Sequence, residues 1–429
     1  MYYLIRHDEG KTRPRKAFFQ LFAVLLIAGL LFSCSSKSSS SATTPTATFA
    51  GELVGSTEAG TLDVTGLTAA VERLGLTGVI VRSGATCYKL TYGTPDVSGN
   101  IINASGLVCL PSAGTGNRPV ISYQHSTIFQ DSEAPSSFIT SGEAALGAVF
   151  AGLGYIAVLP DYVGYGDSTA LLHPYVHAAT LASATVNMNR AARTFLALPN
   201  INMARNGQLF LTGYSEGGYA TLATQRLMQQ SLALEFPVTA SEPGAGPYDL
   251  TNTTRTILEL VNQPQPGFAG FYFKAYDTIY NTPSQITRYF STTYAGVVNT
   301  HFDGGFSRSQ VRDALGGAGV ATTSLFNPTF LTSYLGTATG ETALKAHIAE
   351  NDIYDWAPEA PTRLFHSVDD DTVPYANTTK AKETMDLRSA PSVTVVNCIT
   401  VGVPADHTNC ARPFAADMII FFNSLATDL

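Results

Sequence analysis

Charge is scarce in this chain. Only 14% of its 429 residues are Asp, Glu, Lys or Arg, and the net charge is −8. No basic face is apparent beyond the extreme N-terminus, which argues against a nucleic-acid partner, because phosphate recognition needs clustered Lys and Arg. The spacing of Cys and His gives no zinc site, and no phosphate-cradling loop is present, so neither a metal nor a cofactor is expected. Apolar side chains, by contrast, make up 45% of the chain, enough for a sizeable globular core.

The N-terminus reads as a targeting segment. Arg6, Lys11, Arg13, Arg15 and Lys16 precede an apolar run over 17–32, the order of charge and hydrophobicity found in export signals. The run stops at Leu31-Phe-Ser-Cys34, which resembles a bacterial lipobox, with Cys34 as the lipidated first residue of the mature chain. The competing readings are an ordinary signal peptide or an uncleaved anchor, and each exports the protein. The expected organisation is a lipoprotein signal over 1–33, a Ser/Thr-rich tether over 34–49 with little to bury, and one domain over 50–429.

Within that domain, residues 50–86 are weakly patterned, with a short helix expected over 62–76. A hairpin is expected over 87–111. Strands follow near 118–125, 154–160, 208–212, 237–243, 361–366 and 392–399, with helical stretches between them. That alternation predicts an α/β fold, a mostly parallel sheet with helices on both faces. From about 250 to 353 strand signals cease. This is too long for a simple connection and reads as an inserted helical cap.

The chain is organised around Leu209-Phe-Leu-Thr-Gly-Tyr-Ser-Glu-Gly-Gly-Tyr219. An apolar strand runs into Gly-x-Ser-x-Gly and a helix-forming stretch follows, which predicts a nucleophile elbow with Ser215 exposed on a strained turn. A serine needs a histidine to take its proton and a carboxylate to orient that histidine. In α/β-hydrolases these partners come later in the chain, acid before base. Four histidines follow Ser215, and only His407 lies beyond the run Asp369-Asp-Asp371 on a loop after a strand. The Asp-x-x-Val-Pro arrangement of Asp370 to Pro374 resembles the acid loop of many α/β-hydrolases, a likeness that points to Asp370 as the acid, with Asp369 as the fallback. A calcium site or a solvated turn is the alternative for this acidic run.

Two backbone N–H groups must face the oxygen on which charge develops. Glu216, after the nucleophile, supplies one. The other is expected from Gln124-His-Ser-Thr127, with Thr127 as donor, Ser126 as runner-up and His125 in a structural role. Setting Cys34 aside leaves Cys87, Cys109, Cys398 and Cys410, an even number in an exported chain. The hairpin signal Pro95-Asp-Val-Ser-Gly-Asn100 would bring Cys87 opposite Cys109. Cys398 and Cys410 flank His407, and a bond between them would close the loop that carries the base.

Several of these segments together resemble the α/β-hydrolase superfamily, and within it a secreted lipase and esterase group related to the fungal secretory lipases. Tyr123-Gln-His-Ser-Thr127 is similar to that group's Ala-His-Gly-Thr loop, with Ser126 in place of glycine. Pro160 to Gly166 with His173-Pro-Tyr175 resembles its loop beside the active site. Gly213 to Gly218, Pro247 to Leu250, Tyr354 to Pro358 and the Asp370 and His407 loops extend the likeness, which runs from about Tyr88 to the C-terminus. The resemblance implies hydrolysis of a small-molecule or lipid carboxylic ester, and the lipobox-like segment separately predicts that the protein is held at a membrane through Cys34. A peptidase of the same fold, or a surface lipoprotein that only binds, are the other readings.

Overall fold

A computed structural model describes residues Pro45–Leu429 apart from 77, 114–115, 139–141, 281–285 and 337–338. The expected signal segment and Cys34 lie outside the described residues. In chain order the elements are β1 (Leu53–Leu62), α1 (Val64–Leu74), β2 (Ala85–Pro95), β3 (Ile101–Pro111), β4 (Arg118–Gln124), α2 (Gly142–Leu153), β5 (Ile156–Pro160), α3 (Ala178–Leu196), β6 (Arg205–Tyr214), α4 (Glu216–Ser231) and β7 (Ala240–Gly244). A helical region then runs through α5 (Leu250–Glu259), α6 (Pro266–Ile279), α7 (Ile286–Tyr289), α8 (Thr292–Thr300), α9 (Arg308–Ala314), α10 (Thr322–Leu325), α11 (Pro328–Gly336) and α12 (Thr342–Glu350). It also carries a two-residue ladder between β8 (Asn262–Gln263) and β9 (Val320–Ala321). β10 (Thr362–His366), α13 (Ala376–Leu387), β11 (Val393–Asn397) and α14 (Ala411–Asn423) complete the chain.

Nine strands form one sheet in the order β1-β2-β3-β5-β4-β6-β7-β10-β11. The first three strands and the β3–β5 pairing are antiparallel, and every pairing from β5 onward is parallel. Alternation along β6 explains why both faces are covered. Phe210 packs with residues of α1, α2 and α14, including Leu67, Ala148 and Phe422. Its neighbours Leu209 and Leu211 pack with Val186 and Phe195 of α3 and Met228 of α4 on the other face. Successive side chains of a strand point to opposite faces, so a strand apolar at consecutive positions must be sandwiched between helices.

The order β5-β4-β6 is what places the site. The chain steps from β4 to one neighbour and later returns to the other, so the segments leaving the carboxyl ends of β4 and β6 diverge. In open α/β sheets the crevice at such a reversal is where ligands bind. The segment after β4 begins at His125, and the segment after β6 begins at Ser215.

Besides the short β8 and β9, one strand of the main sheet escaped the sequence reading. β1 reads Leu-Val-Gly-Ser-Thr-Glu-Ala-Gly-Thr-Leu and is only part-buried, with register shifts at two places against β2. An edge strand carrying glycines has little alternation to detect. Ordered packing also begins before it: Ala47 is buried and its N–H donates to Asn103 Oδ1 at 2.8 Å. Cys87 and Cys109 are direct partners in the β2–β3 register and are bonded, as are Cys398 and Cys410.

Candidate active site

Ser215 ends β6 and starts α4 with φ 60° and ψ −121°, a conformation that a residue bearing a side chain adopts only at a cost. Two features hold it there. Its N–H donates to the Gly244 carbonyl at 2.8 Å. The flanking glycines also allow the elbow to press against the end of β4: a Cβ on Gly217 would lie 2.0 Å from the Gln124 carbonyl oxygen, and one on Gly213 would lie 2.3 Å from the same atom. The strain is therefore supported by backbone contacts that no larger residue permits.

His407 lies on the loop between β11 and α14, which the Cys398–Cys410 bond closes. Its Nε2 is 2.8 Å from Ser215 Oγ and its Nδ1 is 2.6 Å from Asp370 Oδ2. The ring packs 5.1 Å from that of Tyr214, whose hydroxyl donates to the His407 carbonyl at 2.7 Å. Residues 192 positions apart in the chain thus share one hydrogen bond.

Asp370 follows β10, and its carboxylate is fully buried. Oδ1 accepts the N–H groups of Thr372 and Val373 at 2.9 and 2.7 Å, which explains the Asp-x-x-Val spacing as a tight side-chain turn. Burial alone would raise its pKa. Hydrogen bonds and charge from His366 and His407 outweigh that and hold it well below the usual carboxylate range. Asp369 is exposed, its N–H donates to Ser367 Oγ, and among the described residues it makes no hydrogen bond to His407. Asp371 Oδ1 accepts the Thr372 hydroxyl at 3.1 Å and the His407 backbone N–H, not the ring, at 3.4 Å.

His366 was passed over in the sequence. Its Nε2 lies 3.2 Å from Asp370 Oδ2 and 3.1 Å from the Val373 carbonyl, while Nδ1 meets Thr378 Oγ1 at 2.7 Å. The available signal was its position four residues before Asp370 at the end of a strand.

After β4, the structure separates the two candidate donors. The N–H of Ser126 is committed to the part-buried Glu143 carboxylate, at 3.0 and 3.2 Å from its two oxygens. Ser126 is therefore not a free donor, a correction to its place as runner-up. The Thr127 hydroxyl meets Tyr175 Oη at 3.0 Å, and its N–H has no hydrogen bond among the described residues. Glu216 opens α4, so its N–H is one of the donors that a helix start leaves unpaired. His125 holds backbone on both sides, with its ring nitrogens at the carbonyls of Ser126 and Asp161.

A cavity of about 70 Å³ adjoins Ser215. It is lined by Tyr175 and Val176, by Leu250 and Ile257 of α5, by Phe268 and Tyr272 of α6, and by Val373 beside Asp370. Its wall is overwhelmingly apolar, which suits a hydrocarbon group and offers nothing to a charged one.

A mostly parallel sheet with a strained serine, a histidine and a buried carboxylate joined at its carboxyl edge defines an α/β-hydrolase. Solved structures agree. A Legionella pneumophila protein described as a hydrolase superposes with a TM-score of 0.78 at 26% identity, over 87% of this chain and 98% of its own. The rice cell wall degrading esterase LipA from Xanthomonas oryzae, in a ligand-bound form, gives 0.78 at 25% identity over 88% and 99%. Candida antarctica lipase A shares the fold, with a TM-score of 0.61 at 17% identity over 84% and 78%. No curated protein matches the chain in sequence. The chain belongs to the secretory lipase family, whose model matches residues 136–414. It is a carboxylic-ester hydrolase of the lipase and esterase type, and membership of this family goes with export. Among the described residues no helix is long and apolar enough to cross a membrane.

Proposed function

We propose that Ser215 is the nucleophile, His407 the general base and Asp370 the orienting acid of ester hydrolysis. The observation that carries this reading is the unbroken hydrogen-bonded chain from Ser215 Oγ through both nitrogens of His407 to Asp370 Oδ2, at 2.8 and 2.6 Å. Ser215 Oγ attacks the ester carbonyl while His407 Nε2 takes its proton. Asp370 keeps the second ring proton on Nδ1 and stabilises the imidazolium without accepting that proton. The oxyanion faces the N–H groups of Glu216 and Thr127. His407 then protonates the departing alkoxide, and water, deprotonated by the same nitrogen, releases the acid and frees Ser215.

The apolar cavity beside Ser215 supports an uncharged acyl group as the substrate part held there. Residues 250–353 act in this reading as a cap, since α5 and α6 supply most of that wall. Lipid attachment at Cys34 would keep the enzyme at a membrane, with the Ser/Thr-rich residues between Cys34 and the packed Ala47 as its tether. The support for this is the basic-then-apolar order ending in Leu31-Phe-Ser-Cys34.

The test is Ser215→Ala with p-nitrophenyl esters of graded length. Turnover should fall by roughly 10⁶-fold, the scale of a broken triad, and a fluorophosphonate probe that labels the parent protein should no longer react. Hydrolysis at the parent rate by a folded variant would rule out the assignment.

A further inference from the structure

A glutamate directly after a nucleophilic serine is an electrostatic problem. The backbone N–H of Glu216 is assigned above to the developing oxyanion, yet its own side chain would bring a negative charge into the same buried corner. The structure places an imidazole on it. His173 Nε2 lies 2.8 Å from Glu216 Oε1, and both side chains are shielded from solvent. The second nitrogen, Nδ1, lies 2.7 Å from the Val163 carbonyl oxygen, which can only accept. Glu216 Oε1 also receives the N–H of Val176 at 3.3 Å.

Proton counting decides the charge. A neutral imidazole has one N–H, and His173 faces acceptors at both nitrogens. Each contact is satisfied only if the pair holds one proton more than a carboxylate and a neutral ring. That proton can sit on His173, giving an imidazolium and a carboxylate, or on Glu216, giving an acid beside a neutral ring. Either way the pair is net neutral.

We infer that His173 is a positioning residue for the hydrolytic reaction: it cancels the charge of Glu216 beneath the oxyanion site and ties the nucleophile elbow to the loop that walls the acyl cavity. The second half of that role is visible at Val176. This β-branched residue has φ 46°, a strained value for its type. Its N–H is held by Glu216 and its carbonyl by Tyr276 Oη at 3.3 Å. Val176 and Tyr175 both line the cavity beside Ser215.

Around the pair, the phenols of Tyr162, Tyr165 and Tyr175 surround His173, and burial pushes all three well above the ordinary tyrosine range. Phe271 of α6 packs at its edge. Asp131 and Asp303 lie in the cavity behind it. No lysine or arginine contacts Glu216 among the described residues, so His173 is its neutralising partner.

The inference rests on the Ser215 reading, and its test separates the two. His173→Gln keeps a donor for Glu216 Oε1 but removes the shared proton. On a soluble p-nitrophenyl ester, kcat at pH 8 should fall on the order of 10- to 100-fold, within the loss caused by removing one oxyanion donor. The loss should lie in kcat with KM little changed, because an uncancelled Glu216 charge opposes the oxyanion and not the bound ester. Adding Glu216→Gln in the same chain should restore most of the rate. A His173→Gln loss carried in KM with kcat unchanged, or a double variant no faster than the single one, would overturn the inference. If His173→Gln does not fold, His173→Asn is read in the same way: a fall in kcat that Glu216→Gln in the same chain reverses supports the inference, and a fall that it does not reverse overturns it. Failure of the parent to react with fluorophosphonate would instead remove the nucleophile assignment itself.

Discussion

Asp370 Oδ2 stands 2.6 Å from His407 Nδ1, on the opposite edge of the ring from Ser215. Of three consecutive aspartates, Asp370 alone has its carboxylate against that ring. Asp370→Asn should therefore lower kcat by roughly 10⁴-fold, because an amide stabilises the wrong tautomer. Asp369→Asn, an exposed change, should stay within about twofold of the parent. The reverse ranking in a p-nitrophenyl ester assay would move the acid to Asp369.

A second prediction concerns Glu242 on β7. Burial, reinforced by the charge of Asp417, pushes its carboxyl well above the ordinary range. A raised carboxyl binds its proton more tightly folded than unfolded. Its contribution is complete below the unfolded value, near pH 4.3, and is lost as pH rises toward the folded value. Glu242→Gln removes that loss. Denaturant unfolding should show little difference between variant and parent near pH 4 and a gain in the variant that widens toward pH 7, by about 1.4 kcal/mol for each unit of difference. A difference constant across that range would contradict this account.

Third, Gly217→Ala should be among the most damaging single-methyl additions in the chain, since the new carbon would meet the Gln124 carbonyl oxygen at 2.0 Å. A loss of about 3 kcal/mol or more is expected, at the upper end for overpacking. Gly55→Ala on β1 is the control, with open space around the added carbon and an expected change within about 0.5 kcal/mol. Comparable unfolding midpoints for the two variants would show that the elbow can yield.

Fourth, the two disulfides should differ in what they protect. Replacing Cys398 and Cys410 with serine opens the loop that carries His407, whose ends are 12 residues apart. Stability should fall by roughly 3 kcal/mol or less, and kcat should fall with KM little changed. Replacing Cys87 and Cys109, which join adjacent strands away from Ser215, should cost stability and leave kcat intact. Equal kcat in both variants would mean that the loop holds its histidine unaided.

Much of the site was legible because it depends on order and local spacing. The strand, Gly-x-Ser-x-Gly and helix sequence marked Ser215, and the rule of acid before base left one histidine. The Asp-x-x-Val turn picked out the aspartate that meets His407. Other features were not legible because they arise only where distant segments meet. The capture of the Ser126 N–H by Glu143 joins residues on two elements, and the contact of His173 with Glu216 spans 43 positions. β1 was missed for a different reason: a half-exposed edge strand carries little of the alternation that reveals an inner one. Within 250–353 the packing is helix on helix, and short helices of mixed aromatic and polar residues leave their partners unspecified by sequence.

The crowding of backbone oxygens at Gly213 and Gly217 divides the molecule into a part that cannot vary and a part that can. Ser215 is set by main-chain contacts that tolerate no side chain at either glycine, whereas the apolar cavity beside it is walled largely by side chains of α5 and α6. An evolving or engineered lineage could exchange Leu250, Ile257, Phe268 or Tyr272 and alter which esters are accepted while inheriting the hydrolytic machinery unchanged.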